Sequence, residues 1–371
     1  MKFIFDRNSM INEISIAQEI IAGTSNKESV YSNVLFVAEN NTLTIKATDT
    51  RISFVTKIPV EIEEEGSTTI ICSKLVSILS ALPEGEIEFN LLKKDNQEIA
   101  LIKHSTKKIK FQLACLSSDR FVQINSLDNV PLFEIPSKDL KFMINQTIFS
   151  VVPATIQGKD FLKGVYFDRE EAKLILVATN GKRLAYASKE VLDPNQSFNP
   201  AIVHPKILGI ISKHAPDEGN ISLAIVDNMI FFKFLNYEFS AALIDGHFPE
   251  YRRIIPEKFE YSLKAEKNEF VSALKRISVM LDKDSKVALH LNPGELALSS
   301  TSSDLGDAKE EIPCEYAGEE SVFFMDYHFL ENPLKVMDSE RIAIEFNGVA
   351  KAMIFRPEPA ADYFHIIMPM Q

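Results

Sequence analysis

Six stretches of the chain carry apolar residues at helical spacing, and the stretches between them alternate as strands do. The first helix is predicted over 9–21, where Met10, Ile14, Ala17 and Ile21 form one stripe and Ser9 stands at the cap position. Strands follow at 34–38, 42–47, 52–60 and 68–71. A second helix is predicted over 73–82, opened by Ser73 and stopped by Pro83, with strands after it at 86–92, 99–104 and 108–116. The same order then returns. A helix over 137–151, with Ser137 as cap, precedes strands at 165–168, 173–179, 183–188 and 197–202. A helix over 204–215 precedes strands at 221–226, 229–234 and 238–243. A third round opens with a helix over 267–281, has a second helix near 326–337, and ends in strands at 341–346, 350–356 and 363–368.

The spacing is close to regular. First helices start at 9, 137 and 267, in steps of 128 and 130. Second helices start at 73, 204 and about 326, in steps of 131 and about 122. The motif Phe111-x-x-Ala114 returns as Phe239-x-x-Ala242, again 128 positions on. Three divergent copies of one α+β module follow, each with two helices packed on antiparallel sheets. A module of about 120 residues can hold its own core, and so long a period means repeated domains, not a solenoid. Domain limits are expected at 1–127, 128–256 and 257–371, with linkers near 126–131 and 256–260.

One irregular stretch, 243–256, joins the second module to the third. Its Asp245-Gly246 is turn chemistry. Pro249 and Pro256 lack backbone donors, so the stretch cannot lie inside a sheet. Between them Tyr251 reads as an exposed aromatic, followed by Arg252 and Arg253.

Composition narrows the function classes. The 371 residues are 46% hydrophobic and 25% charged, as in ordinary globular proteins. No apolar run has the length of a membrane span, and no secretory core precedes Asp6 and Arg7, so a cytoplasmic location is expected. Cys72, Cys115 and Cys314 have no paired spacing and read as core thiols. A phosphate loop is excluded, because Leu176 and Arg183 stand where the motif around Gly181-Lys182 needs Gly and Ser or Thr. His204, His214, His290, His328 and His365 are dispersed and read as surface or cap residues. The acidic run 61–65 reads as a solvated turn or edge. No catalytic constellation, metal or cofactor is expected. The net charge of −12 argues against nucleic acid unless a basic face is segregated from the rest.

Three segments carry a resemblance: Ala178-Thr179-Asn180-Gly181-Lys182-Arg183-Leu184-Ala185, the stretch 243–256, and the terminal Ile366-Ile367-Met368-Pro369-Met370. Ala47-Thr48-Asp49 and Leu82-Pro83-Glu84-Gly85 add to it. The chain resembles the bacterial DNA polymerase III beta subunit family, the replicative sliding clamps, over its whole length. The resemblance implies a head-to-tail homodimer of the DNA clamp fold, assembling into a ring around duplex DNA. It implies a processivity factor with no catalysis of its own. It also implies a groove that takes short linear motifs of the polymerase, the clamp loader and repair proteins.

Carried over residue by residue, the groove is Leu162, Thr179, Gly181, Lys182, Arg183, Leu184, Pro249, Arg253, Ile254, Ile366, Met368, Pro369 and Met370. Met side chains suit varied partners, Gly181 would permit close backbone approach, and Arg183 and Arg253 can hold carbonyls or acidic groups. Asn180 and Lys182 replace the family's usual Asp and His, and Gln371 ends the chain where an Arg and an apolar residue are common. DNA-facing candidates are Lys27, Lys74, Lys138, Lys141, Lys159, Lys206, Lys213, Lys275, Arg276 and Lys335, while Glu13 and Glu19 on the first helix temper that charge. The ring seam is expected to set Phe111, Leu113 and Lys74 against the first helix of the third module at Val279 and Met280. Lys107, Lys108 and Lys110 would face Asp282 and Asp284 across it. The alternatives are a protein-only scaffold and a hydrolase using Asp245 and His247.

Overall fold

A computed structural model describes residues 1–21, 30–94, 97–124, 132–192, 198–281, 285–300 and 306–370. Lys27, the 126–131 linker, Asp282, Asp284 and Gln371 lie outside the described residues. The first module runs β1 (Lys2–Asp6), α1 (Arg7–Ile21), β2 (Asn33–Glu39), β3 (Thr42–Thr48), β4 (Ile52–Pro59), β5 (Glu61–Glu64), β6 (Gly66–Ile71), α2 (Cys72–Ala81), β7 (Glu86–Lys94), β8 (Gln97–His104) and β9 (Lys110–Leu116). The second runs β10 (Phe133–Pro136), α3 (Ser137–Thr147), β11 (Val165–Glu170), β12 (Lys173–Thr179), β13 (Arg183–Glu190), β14 (Ala201–Val203), α4 (Pro205–His214), β15 (Asn220–Val226), β16 (Met229–Phe234) and β17 (Tyr237–Ala242). The third runs β18 (Tyr261–Glu266), α5 (Lys267–Ile277), β19 (Lys286–Asn292), β20 (Glu295–Ser300), β21 (Lys309–Pro313), β22 (Ser321–Asp326), α6 (Tyr327–Val336), β23 (Arg341–Phe346), β24 (Met353–Glu358) and β25 (Tyr363–Ile367).

Apart from β5, one order occurs three times: strand, helix, four strands, helix, three strands. First helices begin at 7, 137 and 267, equal steps of 130. The strands form sheets ordered β10-β15-β16-β17-β4-β3-β2-β6-β9-β8-β7-β1-β5, β14-β11-β12-β13-β25-β24-β23-β18 and β21-β20-β19-β22. Two antiparallel pairings therefore splice modules. β17 pairs with β4 from Tyr237↔Thr56 to Ala241↔Ile52. β13 pairs with β25 from Arg183↔Ile367 to Ala187↔Tyr363. The acidic run of β5 is an edge strand laid on β1.

The chain separates into two compact units, Met1–Glu134 with Asn220–Ala242, and Ile135–Gly219 with Leu243–Gln371. In the first, α1 buries Met10, Ile14, Ala17 and Ile21, as the stripe predicts. Phe54 and Phe239 meet across the β4–β17 seam with ring centroids 4.9 Å apart. In the second, α5 buries Phe270, Ala273, Leu274 and Ile277.

Several local expectations are corrected. Asp6, not Ser9, caps α1: its Oδ1 accepts from the Ser9 N–H at 2.8 Å and from the Ser9 hydroxyl at 2.9 Å. Neither Ser73 nor Ser137 caps its helix. A strand runs straight into each helix, so the cap position falls on Ile71 or Pro136, which have no side-chain oxygen to offer. Ser137 instead donates its hydroxyl to the Pro216 carbonyl. His204 does cap α4, Nδ1 accepting from the Lys206 N–H at 3.1 Å. Glu13 does not face solvent; it is 7% exposed and accepts the Tyr237 hydroxyl at 3.1 Å. Burial raises its pKa and pushes the Tyr237 phenol up to about 12. Cys72 and Cys115 are buried and Cys314 half-buried, with thiols held up by that burial at about 12, 11 and 11.

Candidate functional site

The β13–β25 splice ends in a hairpin locked from within. The Thr179 hydroxyl donates to the Arg183 carbonyl at 2.6 Å and accepts from the Gly181 N–H at 3.1 Å. Asn180 Oδ1 accepts from the N–H groups of Lys182 and Arg183, both at 3.0 Å. Gly181 is needed for its φ of 88°, not for a close backbone approach, because a Cβ there would meet open space. The chain end docks on this hairpin. The Met368 N–H donates to the Lys182 carbonyl at 2.9 Å, and the Met370 N–H to the Phe324 carbonyl on β22 at 2.7 Å.

Under this surface lies a cluster of Ile175, Val177, Leu184, Tyr251, Ile354, Phe364 and Ile366. Leu184 and Ile366 are thus its buried floor. Beside these in the chain, Ile254 is 45% and Met368 40% exposed, and Phe324, whose carbonyl holds Met370, is 36% exposed. Tyr251 is not the exposed aromatic that its neighbours suggest; it is 3% exposed, and its hydroxyl donates to Asp168 Oδ2 at 2.9 Å. Burial and that carboxylate push its pKa up. Arg252 pairs with the same Asp168 at 2.9 Å and stacks on Tyr251. This anchor fixes the single 3-10 turn Tyr251–Ile254, from which Arg253 and Ile254 project. Pro249 is half-buried just before it. Leu162 is buried in the turn Asp160–Leu162. Its neighbour Phe161 abuts Gly246, where an added Cβ would come within 2.8 Å. Asp245-Gly246 therefore aims the stretch by fitting against that turn. Asp245 and His247 are both exposed.

Arg183 sits in a cage that no local pattern in the chain announces. Its guanidinium carbon lies 5.4 Å from the Phe149 ring centroid and 4.7 Å from that of Phe329. Nη2 donates to the Phe149 carbonyl, while Nε and Nη1 are buried with no hydrogen-bond partner among the described residues. Burial lowers its pKa to about 10, against a raising influence from Asp326. His365 is neither a surface nor a cap residue; it is 2% exposed, on a strand with apolar neighbours on both sides. Burial, helped by Arg183, brings its pKa down to about 3, so the ring is neutral. Gln146 donates to the Val336 carbonyl at 2.6 Å and turns its Oε1 to His365 Nε2 at 3.0 Å. The proton therefore sits on Nε2. Phe149, Phe324, Phe329, Gln146 and Asp326 were missed from sequence. Only the Asp326-x-His328 cap left a local trace, its Oδ1 accepting from the His328 N–H at 2.8 Å.

The cations proposed to face DNA differ in exposure and in the pairs that hold them. Lys74, Lys138, Lys159, Lys213 and Lys275 are exposed, and Lys206 is half-buried. Lys141 is held by Asp217 at 2.5 Å and by the Ala215 carbonyl at 3.1 Å. Arg276 forks onto Glu310 of β21, Nε at 2.8 Å and Nη2 at 2.5 Å. Lys335 pairs with Glu331 at 2.8 Å. Among the seam candidates, Phe111 and Leu113 are half-buried and alternate with exposed Gln112 and Ala114 on β9. Val279 is 80% exposed, but it and Met280 lie in the 3-10 turn Ser278–Met280 that follows α5, not in the helix. No cluster of metal-ligating side chains occurs among the described residues.

A three-module chain with two intramolecular strand splices defines the class, and comparison with known proteins defines the family. Residues 1–125, 134–250 and 252–371 match the N-terminal, central and C-terminal domains of the DNA polymerase III beta subunit. The beta sliding clamp of Treponema pallidum is 41% identical over 376 residues, covering 100% of both chains. That of Staphylococcus epidermidis is 26% identical over 383 residues, covering 100% of this chain and 99% of the other. The DNA polymerase sliding clamp of Bacillus subtilis shares the fold at TM-score 0.94 and 23% identity, over 100% of this chain and 99% of that one. The chain belongs to the DNA polymerase III beta subunit family of sliding clamps. It is a processivity factor and a non-catalytic subunit of the polymerase III holoenzyme.

Proposed function

We propose that two copies close head to tail into a ring around duplex DNA in the cytoplasm, with domain limits at 127/128 and 256/257. The observation that carries this is an unfinished pattern of splices. Module one joins module two through β4–β17, and module two joins module three through β13–β25. The corresponding edges left over are β9 of module one and β21 of module three. β21 ends its sheet, and β9 meets β6 only at Cys115 and Leu116, leaving Lys110–Ala114 open on that side. A second copy supplies the complementary edge to each, and two such contacts use up both. Val279, highly exposed, is the apolar anchor for the half-buried Phe111 and Leu113.

The exposed helix lysines then serve phosphates without sequence readout, which permits sliding. Partners dock short apolar motifs on the strip of Ile254, Met368 and Met370, above the caged Arg183. Cysteines placed at Gln112 and Glu311, in a Cys314→Ser background, test the closure. With a short bismaleimide the double variant should give covalent dimer, and either single variant should give little. No covalent dimer, or equal cross-linking by a single variant, would contradict the head-to-tail arrangement.

A further inference from the structure

The tail that lines the partner strip is bracketed by cations. Lys182 stands where the Met368 N–H joins the hairpin, and its side chain is exposed. At the other end, Met370 is tied to the Phe324 carbonyl, and Lys286 Nζ lies 4.2 Å from the centroid of the Phe324 ring. Arg253 is exposed on the turn that presents Ile254. Other cations of this unit are held in ion pairs: Lys163 on Asp160, Arg252 on Asp168, Arg276 on Glu310 and Arg341 on Glu315. Lys182, Arg253 and Lys286 have no ion pair among the described residues. Asp326 faces Lys286 in strand register but caps α6, and Glu250 stands before the turn that carries Arg253. Unpaired cations around an apolar strip, in a chain of net charge −12, are local charge complementarity for an anion.

We propose that this clamp selects partner segments whose apolar anchors are flanked by carboxylates, with Lys182 and Lys286 as the selecting residues at the two ends of the tail. The inference rests on the strip being the partner site. The apolar anchors supply the common part of the affinity, and the flanking charges supply discrimination, because rim charges contribute little each and act mainly against wrong partners. Lys286 is the stronger of the two, since stacking on Phe324 restricts its ammonium and covers its stem.

Three fluorescent peptides with one apolar core, flanked by Asp, Asn or Lys, test this with the full chain by anisotropy. At low salt the Asp-flanked peptide should bind about fivefold to tenfold tighter than the Asn-flanked one, and the Lys-flanked one weakest. The spread should collapse in high salt, where the screening length shortens to a few ångströms, and in the Lys182→Ala/Lys286→Ala variant. Equal affinity of all three peptides at low salt would overturn the selection proposal while leaving the site intact. A spread that survives in the double variant would also overturn it. Binding indifferent to Met368→Ala would overturn the site itself, and the selection proposal with it.

Discussion

The two splices inside this chain are built alike and packed differently. At β4–β17, Phe54 and Phe239 are fully buried against each other, and the Tyr237 hydroxyl closes on a buried Glu13. Asn236 adds a bond to the Thr56 hydroxyl at 2.8 Å, so the seam is sealed by aromatic packing and a polar network. At β13–β25 the central pair is Ala185 and His365, and the aromatic stack of Tyr186 on Phe364, 4.8 Å apart, lies toward one end. At the other end β25 outruns the ladder, and its tail crosses to β22 with Met368 in the open. A repeated splice thus becomes a site where the chain end leaves the sheet and where a guanidinium is caged with donors to spare. Sealing is the default of the fold, and the open end of the second splice, where we propose partners dock, is a local departure from it.

Removing the seal has the largest expected effect. Phe54→Ala should lower unfolding stability by about 3–5 kcal/mol, the cost of truncating a buried aromatic, measured by chemical denaturation. Peptide affinity of the remaining folded protein should not change. If stability falls by much less, the first splice is not the sealed one. At the open splice the expectation reverses. Met368→Ala should weaken peptide binding about tenfold, about 1.4 kcal/mol, and leave the melting temperature alone, because the side chain is 40% exposed. A loss of stability matching the loss of affinity would make the tail part of the core.

The smallest effect concerns Glu13. Burial raises its pKa, so the folded chain holds that proton more tightly than the unfolded one. Its contribution to stability is full below the ordinary carboxylate value and is lost as pH rises through the raised one. Glu13→Gln should therefore raise the melting temperature near pH 7–8, with the gain shrinking toward pH 4. A gain independent of pH would show that desolvation of this carboxylate is not the cause.

The repeat was legible because each module changes twice from alternation to helical spacing, and α1, α3 and α5 carry strong apolar stripes. The stretch 243–256 was legible as a joint through its prolines and its turn. What sequence missed depends on contacts made at long range. β1, β6 and β10 run directly into helices, so they moved the caps off Ser9, Ser73 and Ser137. The strands β19–β22 lie between two predicted helices, where the pattern predicts no strand. Tyr251 looks exposed among arginines until Asp168, 83 positions away, claims its hydroxyl. Glu13 looks like a surface residue on a helix until β17 returns with Tyr237. The Arg183 cage draws on residues 149, 326, 329 and 365, and no local pattern joins them.

The most direct test of the account is topological. The chain, placed by a clamp loader on nicked circular DNA, should remain with the circle through gel filtration and leave when the circle is linearised. Phe111→Asp/Leu113→Asp, which places charge on the open β9 edge, should abolish retention on the circle. Equal retention on circular and linear DNA would contradict a closed ring, as would full retention by the edge variant.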